Sequence, residues 1–204
     1  MLAAPLVDSP SGALTPEVRR ELTLAKTRAR PILKAARVAT FNGWTLGVIA
    51  AASTLFTLVS YSTIGALVTA ALAVVASIEF RGRARLLAFD PSGATQLGWN
   101  QIGLLVLVTA YCAWMLWSSA TGVGPLEAEL KANPELGEAL GDLGEIDALI
   151  RQIVVATYAI VIVLTLVVQG LNALYYFTRR KHVLAYIQET PAWALEAQRL
   201  SAAS

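Results

Sequence analysis

Three stretches without a single formal charge, residues 39–78, 91–126 and 152–178, constrain this chain more than any other feature. A helix needs about 20 apolar residues to cross the hydrocarbon of a bilayer. The first stretch has room for two such helices and each of the others for one. An open sheet in lipid would leave backbone groups unpaired, so helices are the reading to expect. With 56% hydrophobic and only 15% charged residues, the composition departs from that of soluble domains in the same direction. The expected fold is an all-α membrane protein. It is a four-transmembrane-helix bundle with a basic amphipathic cytoplasmic N-terminal helix, an acidic helical outer loop and a short C-terminal helix.

Capping residues and charges divide the chain into segments. Residues 1–38 form an N-terminal segment in which Thr15, Pro16 and Glu17 supply an N-cap, a first-turn proline and a first-turn acid. Val18, Leu22, Ala25 and Ala29 follow on one helical face, with Arg19, Arg20, Lys26, Arg28 and Arg30 around the rest, as suits a helix lying on an anionic membrane surface. Pro31 is expected to end or bend it. No basic start leads directly into an apolar core, so no cleavable leader is expected. Residues 39–79 read as a transmembrane hairpin turning tightly at Ser60 to Thr63, 80–99 as a basic connector and 100–119 as a third span. Residues 120–149 read as an acidic helical loop, 150–178 as a fourth span and 179–204 as a tail whose last helix opens at Thr190 and Pro191.

Lys and Arg are retained on the cytoplasmic side of span ends. Lys34 and Arg37 before the first span, Arg81, Arg83 and Arg85 after the second, and Arg179, Arg180 and Lys181 after the fourth all fall on one side of a four-span chain. The other side receives Ser60 to Thr63 and the acidic loop, whose Glu127, Glu129, Glu135, Glu138, Asp142, Glu145 and Asp147 face one base, Lys131. Both termini are therefore expected in the cytoplasm. Aromatic residues that favour the headgroup level agree, with Phe41, Trp44, Phe80, Trp99 and Tyr175 to Phe177 at the inner ends, and Tyr61, Trp114 and Trp117 at the outer ends. The Arg-rich, Ala- and Leu-heavy usage points to a bacterial inner membrane.

Several function classes lose support at once. A net charge of +2 is too small to argue for nucleic acid. Cys112 is the only cysteine and His182 the only histidine, so neither an internal disulfide nor a Cys- or His-based metal site follows. No phosphate-binding glycine loop and no nucleophile elbow occurs. Neither a catalytic residue nor a cofactor is expected.

Two patterns remain. Gly43, Gly47 and Ala51 make a ladder of small residues on the first span, and Gly65, Thr69, Ala73 and Ser77 make another on the second, so two backbones can approach closely within the hairpin or between copies. Polar side chains also collect toward the inner ends: Asn42 and Thr45, Ser77 and Glu79, Asn100 and Gln101, and on the fourth span Thr165, Gln169, Asn172 and Tyr176. An amide at that depth needs partners. The cluster reads either as interhelical glue or as a polar pocket open to the cytoplasm. Glu79 stands out as the acid beside a span on the inner side; its plain role is an i,i+4 pair with Arg83, and its alternative role, if buried, is proton relay.

Arg81, Arg83 and Arg85 read as topogenic anchors, with Leu86, Leu87 and Phe89 dipping into the interface, and together with Arg179, Arg180 and Lys181 as contacts for anionic lipid. Asp90 and Pro91 then cap and start the next helix. The resulting expectation is a non-enzymatic integral membrane subunit or scaffold whose partners are membrane lipids and a second copy or another membrane protein. The alternative is an oligomeric channel or small-solute transporter. An enzyme acting on a lipid through Glu79 is the weakest of the three, because one carboxyl without a second acid, histidine or metal ligand supplies little for general acid–base work.

Overall fold

The computed structural model describes residues 15–61, 63–121 and 144–203, all in helices or their short junctions. Five helices follow one another among these residues: α1 (Pro16–Ser60), α2 (Thr63–Leu87), α3 (Pro91–Thr121), α4 (Gly144–Glu189) and α5 (Ala192–Ala203). The first four are long and apolar enough to cross a membrane. The expected acidic amphipathic helices fall largely on residues 122–143, outside the described residues.

The 45 residues of α1 make one rod of about 67 Å at 1.5 Å per residue, over twice the hydrocarbon thickness. Thr15 caps it by accepting from the Val18 amide. Pro31 lies inside this helix and does not end it. An interior proline costs roughly 3 kcal/mol, which must be offset by packing. Ala29, Ile32, Ala35 and Ala36 around it are all buried. The apolar face expected from Ala25 and Ala29 is real, but it packs on protein instead of lying on a membrane surface.

That protein is a compact base. The buried face of α1 meets Leu86 and Phe89 near the α2–α3 junction, Ala94 and Leu97 of α3, Tyr176, Val183 and Tyr186 of α4, and Ala194 of α5. Leu86 and Phe89 are thus core residues and do not dip into an interface. Phe89 ends α2 with an unusual device for its residue type. Its φ of 56° is left-handed, its amide bonds to the Leu86 carbonyl, and the Asp90 amide reaches back to the Arg85 carbonyl. This is the Schellman pattern, a position usually given to glycine. A bulky residue there is strained by about 1–2 kcal/mol. Phe89 offsets that by complete burial and by stacking on Tyr186, with centroids 4.6 Å apart.

The next helix starts at once. Asp90 accepts from the Ser92 amide at 2.8 Å and from the Ser92 hydroxyl at 2.6 Å, the expected N-cap in front of Pro91. These two donors hold the Asp90 carboxyl below the usual carboxylate range. Helix α4 continues through Arg179, Arg180 and Lys181 to Glu189, because no proline or glycine stands between Gly170 and Pro191. Arg28 of α1 secures its end, with Nε 3.2 Å from Glu189 Oε2 and Nη1 donating to the Glu189 carbonyl at 2.7 Å.

The chain divides into two units, residues Met1–Gln101 with Asn172–Ser204, and residues Ile102–Leu171. The base belongs to the first. In the second, Tyr111 of α3 and Tyr158 of α4 meet edge to face at 6.3 Å, and Arg151 donates to the Ser119 carbonyl near the end of α3 at 3.1 Å. That arginine satisfies one of the carbonyls a helix C-terminus leaves open.

Candidate functional site

Where α2 and α3 cross, both backbones are bare. A methyl placed on Gly82 would lie 2.5 Å from Leu97 Cγ, and one on Gly93 would lie 3.0 Å from the Gly82 carbonyl oxygen. This approach brings Glu79, one turn before Gly82, against the start of α3's apolar run. Glu79 is completely buried. Its Oε1 accepts from Asn100 Nδ2 at 2.9 Å and also from Gln101 Nε2. Asn100 Nδ2 donates in addition to the Val75 carbonyl at 3.1 Å, which pins its amide. Oε2 is buried without a hydrogen-bond partner.

A second polar contact joins α1 to α4. Asn42 Nδ2 donates to the hydroxyl of Tyr176 at 3.3 Å. Tyr176 is itself fully buried and stands close enough to Glu79 to interact with its charge. Tyr176 therefore packs inside the protein and is not one of its surface aromatics.

The structure thus brings together Asn42, Glu79, Asn100 and Gln101 from the anticipated cluster, with Tyr176. Thr45 and Ser77 stay out of it: both are exposed and turn their hydroxyls onto their own helices, to the carbonyls of Phe41 and Ala73. Gln169 and Asn172 are half-buried, and the Oε1 of Gln169 has no partner. The expected pairing of Glu79 with Arg83 is absent, since among the described residues the ion pair is Arg28 with Glu189. Glu79 turns toward α3 because Gly82 lets that helix come close.

The ladders of small residues are only partly used. Gly43 is buried, yet a methyl on Gly47 would touch nothing, and Ala51 is exposed beside the buried Ala50. On α2, Gly65 and Thr69 are half-buried whereas Ala73 and Ser77 are exposed. Steps of four residues rotate about 40° away from any fixed face of a helix. The buried face of α2 therefore passes to Leu72, Val75, Ala76, Glu79, Gly82 and Leu86.

One arrangement occurs twice and was not anticipated. Gly43 seats the ring of Phe80 while Trp44 meets that ring edge-on at 5.9 Å. Likewise Gly98 seats the ring of Phe177 while Trp99 meets it edge-on at 6.0 Å. Trp44 and Trp99 remain exposed. The recurrence of Gly-Trp at residues 43–44 and 98–99 is the signal that would have found these seats.

Of the basic residues, Arg81, Arg85, Arg180 and Lys181 are exposed and Arg83 is half-buried. Arg179 lies over the Tyr175 ring, 4.4 Å from its centroid. Among the described residues, no three His, Cys, Asp or Glu side chains form a group that could hold a metal ion. No protein-family model, curated protein or solved structure matches the chain.

Proposed function

We propose that this chain is a non-enzymatic integral membrane subunit that assembles, with its own copies or with another membrane protein, through the apolar faces of its spans. One observation carries this reading. The base is densely packed, but the most apolar window of α4 has none of its residues buried within the chain, and that of α2 only 22%. Ile160, Val163, Leu164, Val167 and Leu171 of α4 all lie exposed. In lipid these faces meet acyl chains or other helices, and helix association there runs on close packing and polar contacts, not on a hydrophobic drive.

The finer features follow the charge distribution. The base, with its Arg and Lys residues, faces the cytoplasm of a bacterial inner membrane, and both termini lie there. Arg81, Arg83, Arg85, Arg179, Arg180 and Lys181 contact anionic headgroups, each residue near the surface contributing on the order of 1 kcal/mol. The exposed Trp44 and Trp99 sit at the same boundary.

Native mass spectrometry of the protein released from lipid nanodiscs tests the reading. Whole multiples of 21.7 kDa, or that mass together with a co-purifying membrane protein, are expected. A single copy carrying only lipid, at every concentration and in the native membrane extract, contradicts it.

A further inference from the structure

The first helix pair, α1 with α2, and the second, α3 with α4, are written on one pattern. In register, Ala39-Thr40-Phe41-Asn42-Gly43-Trp44 of α1 and Ala94-Thr95-Gln96-Leu97-Gly98-Trp99 of α3 agree at the alanine, threonine, glycine and tryptophan. On the returning helices, Phe80, Arg83 and Leu87-Ala88-Phe89 of α2 fall at the same spacing as Phe177, Arg180 and Leu184-Ala185-Tyr186 of α4. Burial keeps that register, since Ala39 and Ala94, Ala76 and Ala173, Glu79 and Tyr176, Leu86 and Val183, and Phe89 and Tyr186 are all buried. Contacts between the two copies are reciprocal, as in a two-fold interface. Asn42 of the first donates to Tyr176 of the second, and Asn100 of the second donates to Glu79, the counterpart of Tyr176, in the first.

The seam between the copies has diverged, with Asn42 standing against Leu97 and Glu79 against Tyr176. The exposed rings have not. In each copy a glycine seats a phenylalanine that a tryptophan meets edge-on, and Trp44 and Trp99 are 64% and 63% exposed. Core packing does not require an exposed indole. One turn nearer the base, on the same helical face, each phenylalanine is followed by an arginine, Arg83 after Phe80 and Arg180 after Phe177, a step of about 4.5 Å along the helix. Aromatic rings at the level of the glycerol and a guanidinium at the level of the phosphate match the order of groups in a phospholipid. The exposed charges beside them, Arg81 and Lys181, have the same sign and favour an anionic lipid.

We infer that each helix pair carries one site for an anionic phospholipid headgroup, Trp44 with Phe80 and Arg83 in the first and Trp99 with Phe177 and Arg180 in the second, so that the chain holds two such lipids in equivalent places. This rests on the membrane reading above. The number of protein copies, read in the same spectra, separates failure of the lipid sites from failure of assembly.

Native mass spectrometry of the full chain from nanodiscs of phosphatidylcholine with a minor fraction of phosphatidylglycerol tests it. Two phosphatidylglycerols per subunit are expected to survive mild activation in the wild type. One is expected with Trp44→Leu and Arg83→Gln, one with Trp99→Leu and Arg180→Gln, and none with all four changes. Should the fourfold variant not fold, the wild type decides by tryptophan fluorescence, which trace brominated phosphatidylglycerol is expected to quench more deeply than the same amount of brominated phosphatidylcholine. Equal retention in wild type and variants, loss at one of the two sites alone, phosphatidylcholine held as firmly as phosphatidylglycerol, or equal quenching by the two brominated lipids overturns the inference.

Discussion

Replacing Gly82 by valine is expected to destabilise the protein by about 1–3 kcal/mol, the usual range for overpacking a tight core. The side chain has nowhere to go. Its Cβ alone would fall 2.5 Å from Leu97 Cγ and 2.6 Å from Leu97 Cδ2. Leu97 is completely buried, so it cannot swing aside into open space. Gly93 faces the same crossing, with the Gly82 carbonyl, the Leu86 amide and Arg85 Cβ already within 3.0 Å of where its Cβ would stand. Helix propensity argues the other way, since glycine in a helix interior is about 1 kcal/mol worse than alanine. Steric conflict wins at Gly82, and propensity wins where space is open. Gly47→Ala is therefore expected to leave stability unchanged or raise it by up to about 1 kcal/mol, because a methyl there meets nothing. Thermal unfolding in detergent, followed by helical circular dichroism, separates the two variants by sign.

The second large effect is expected at Glu79. Glu79→Ala removes a fully buried side chain and takes the acceptor from Gln101 Nε2 and one of the two acceptors from Asn100 Nδ2. Cavity formation and an orphaned buried donor together are expected to cost about 2–4 kcal/mol. Glu79→Gln keeps the carbonyl acceptor and nearly the same volume, and should cost under about 1 kcal/mol. Urea unfolding in mixed micelles measures both. A glutamine variant as unstable as the alanine variant would mean that the charge of Glu79, and not its shape and acceptor, holds the seam.

The helices were legible in the sequence because lipid leaves the backbone no other solution, and because caps such as Thr15 and Asp90 announce where helices begin. The base was not. An apolar face such as Ala25, Ala29 and Ile32 has the same period whether it lies on headgroups or on protein, and only the folded chain tells which. Pro31 suggested a break that packing overrides. Phe89 gave no turn signal, because its left-handed backbone is held by burial and not by residue preference.

The polar cluster was half legible. Burial of amides near span ends pointed to Asn42, Asn100 and Gln101, and the position of Glu79 among arginines suggested an ion pair with Arg83 that is not formed, Glu79 meeting the amides of α3 instead. The close approach that turns Glu79 toward α3 is made by Gly82, Gly93 and Leu97 working together across two helices. Thr45 and Ser77 were misleading for a simple reason: hydroxyls satisfy themselves on their own helix, whereas amides must reach across.

The account rests on four crossings that leave both chain ends with the base on one side. Cys112 is buried and is the only cysteine, so single cysteines introduced into a Cys112→Ala background can be read cleanly with a membrane-impermeant maleimide. Tyr61→Cys and Thr121→Cys are expected to react in intact cells, and Thr15→Cys, Ala88→Cys and Gln188→Cys only after the membrane is opened. Labelling of Ala88→Cys from outside, or of Thr15→Cys and Gln188→Cys from opposite sides, would contradict it.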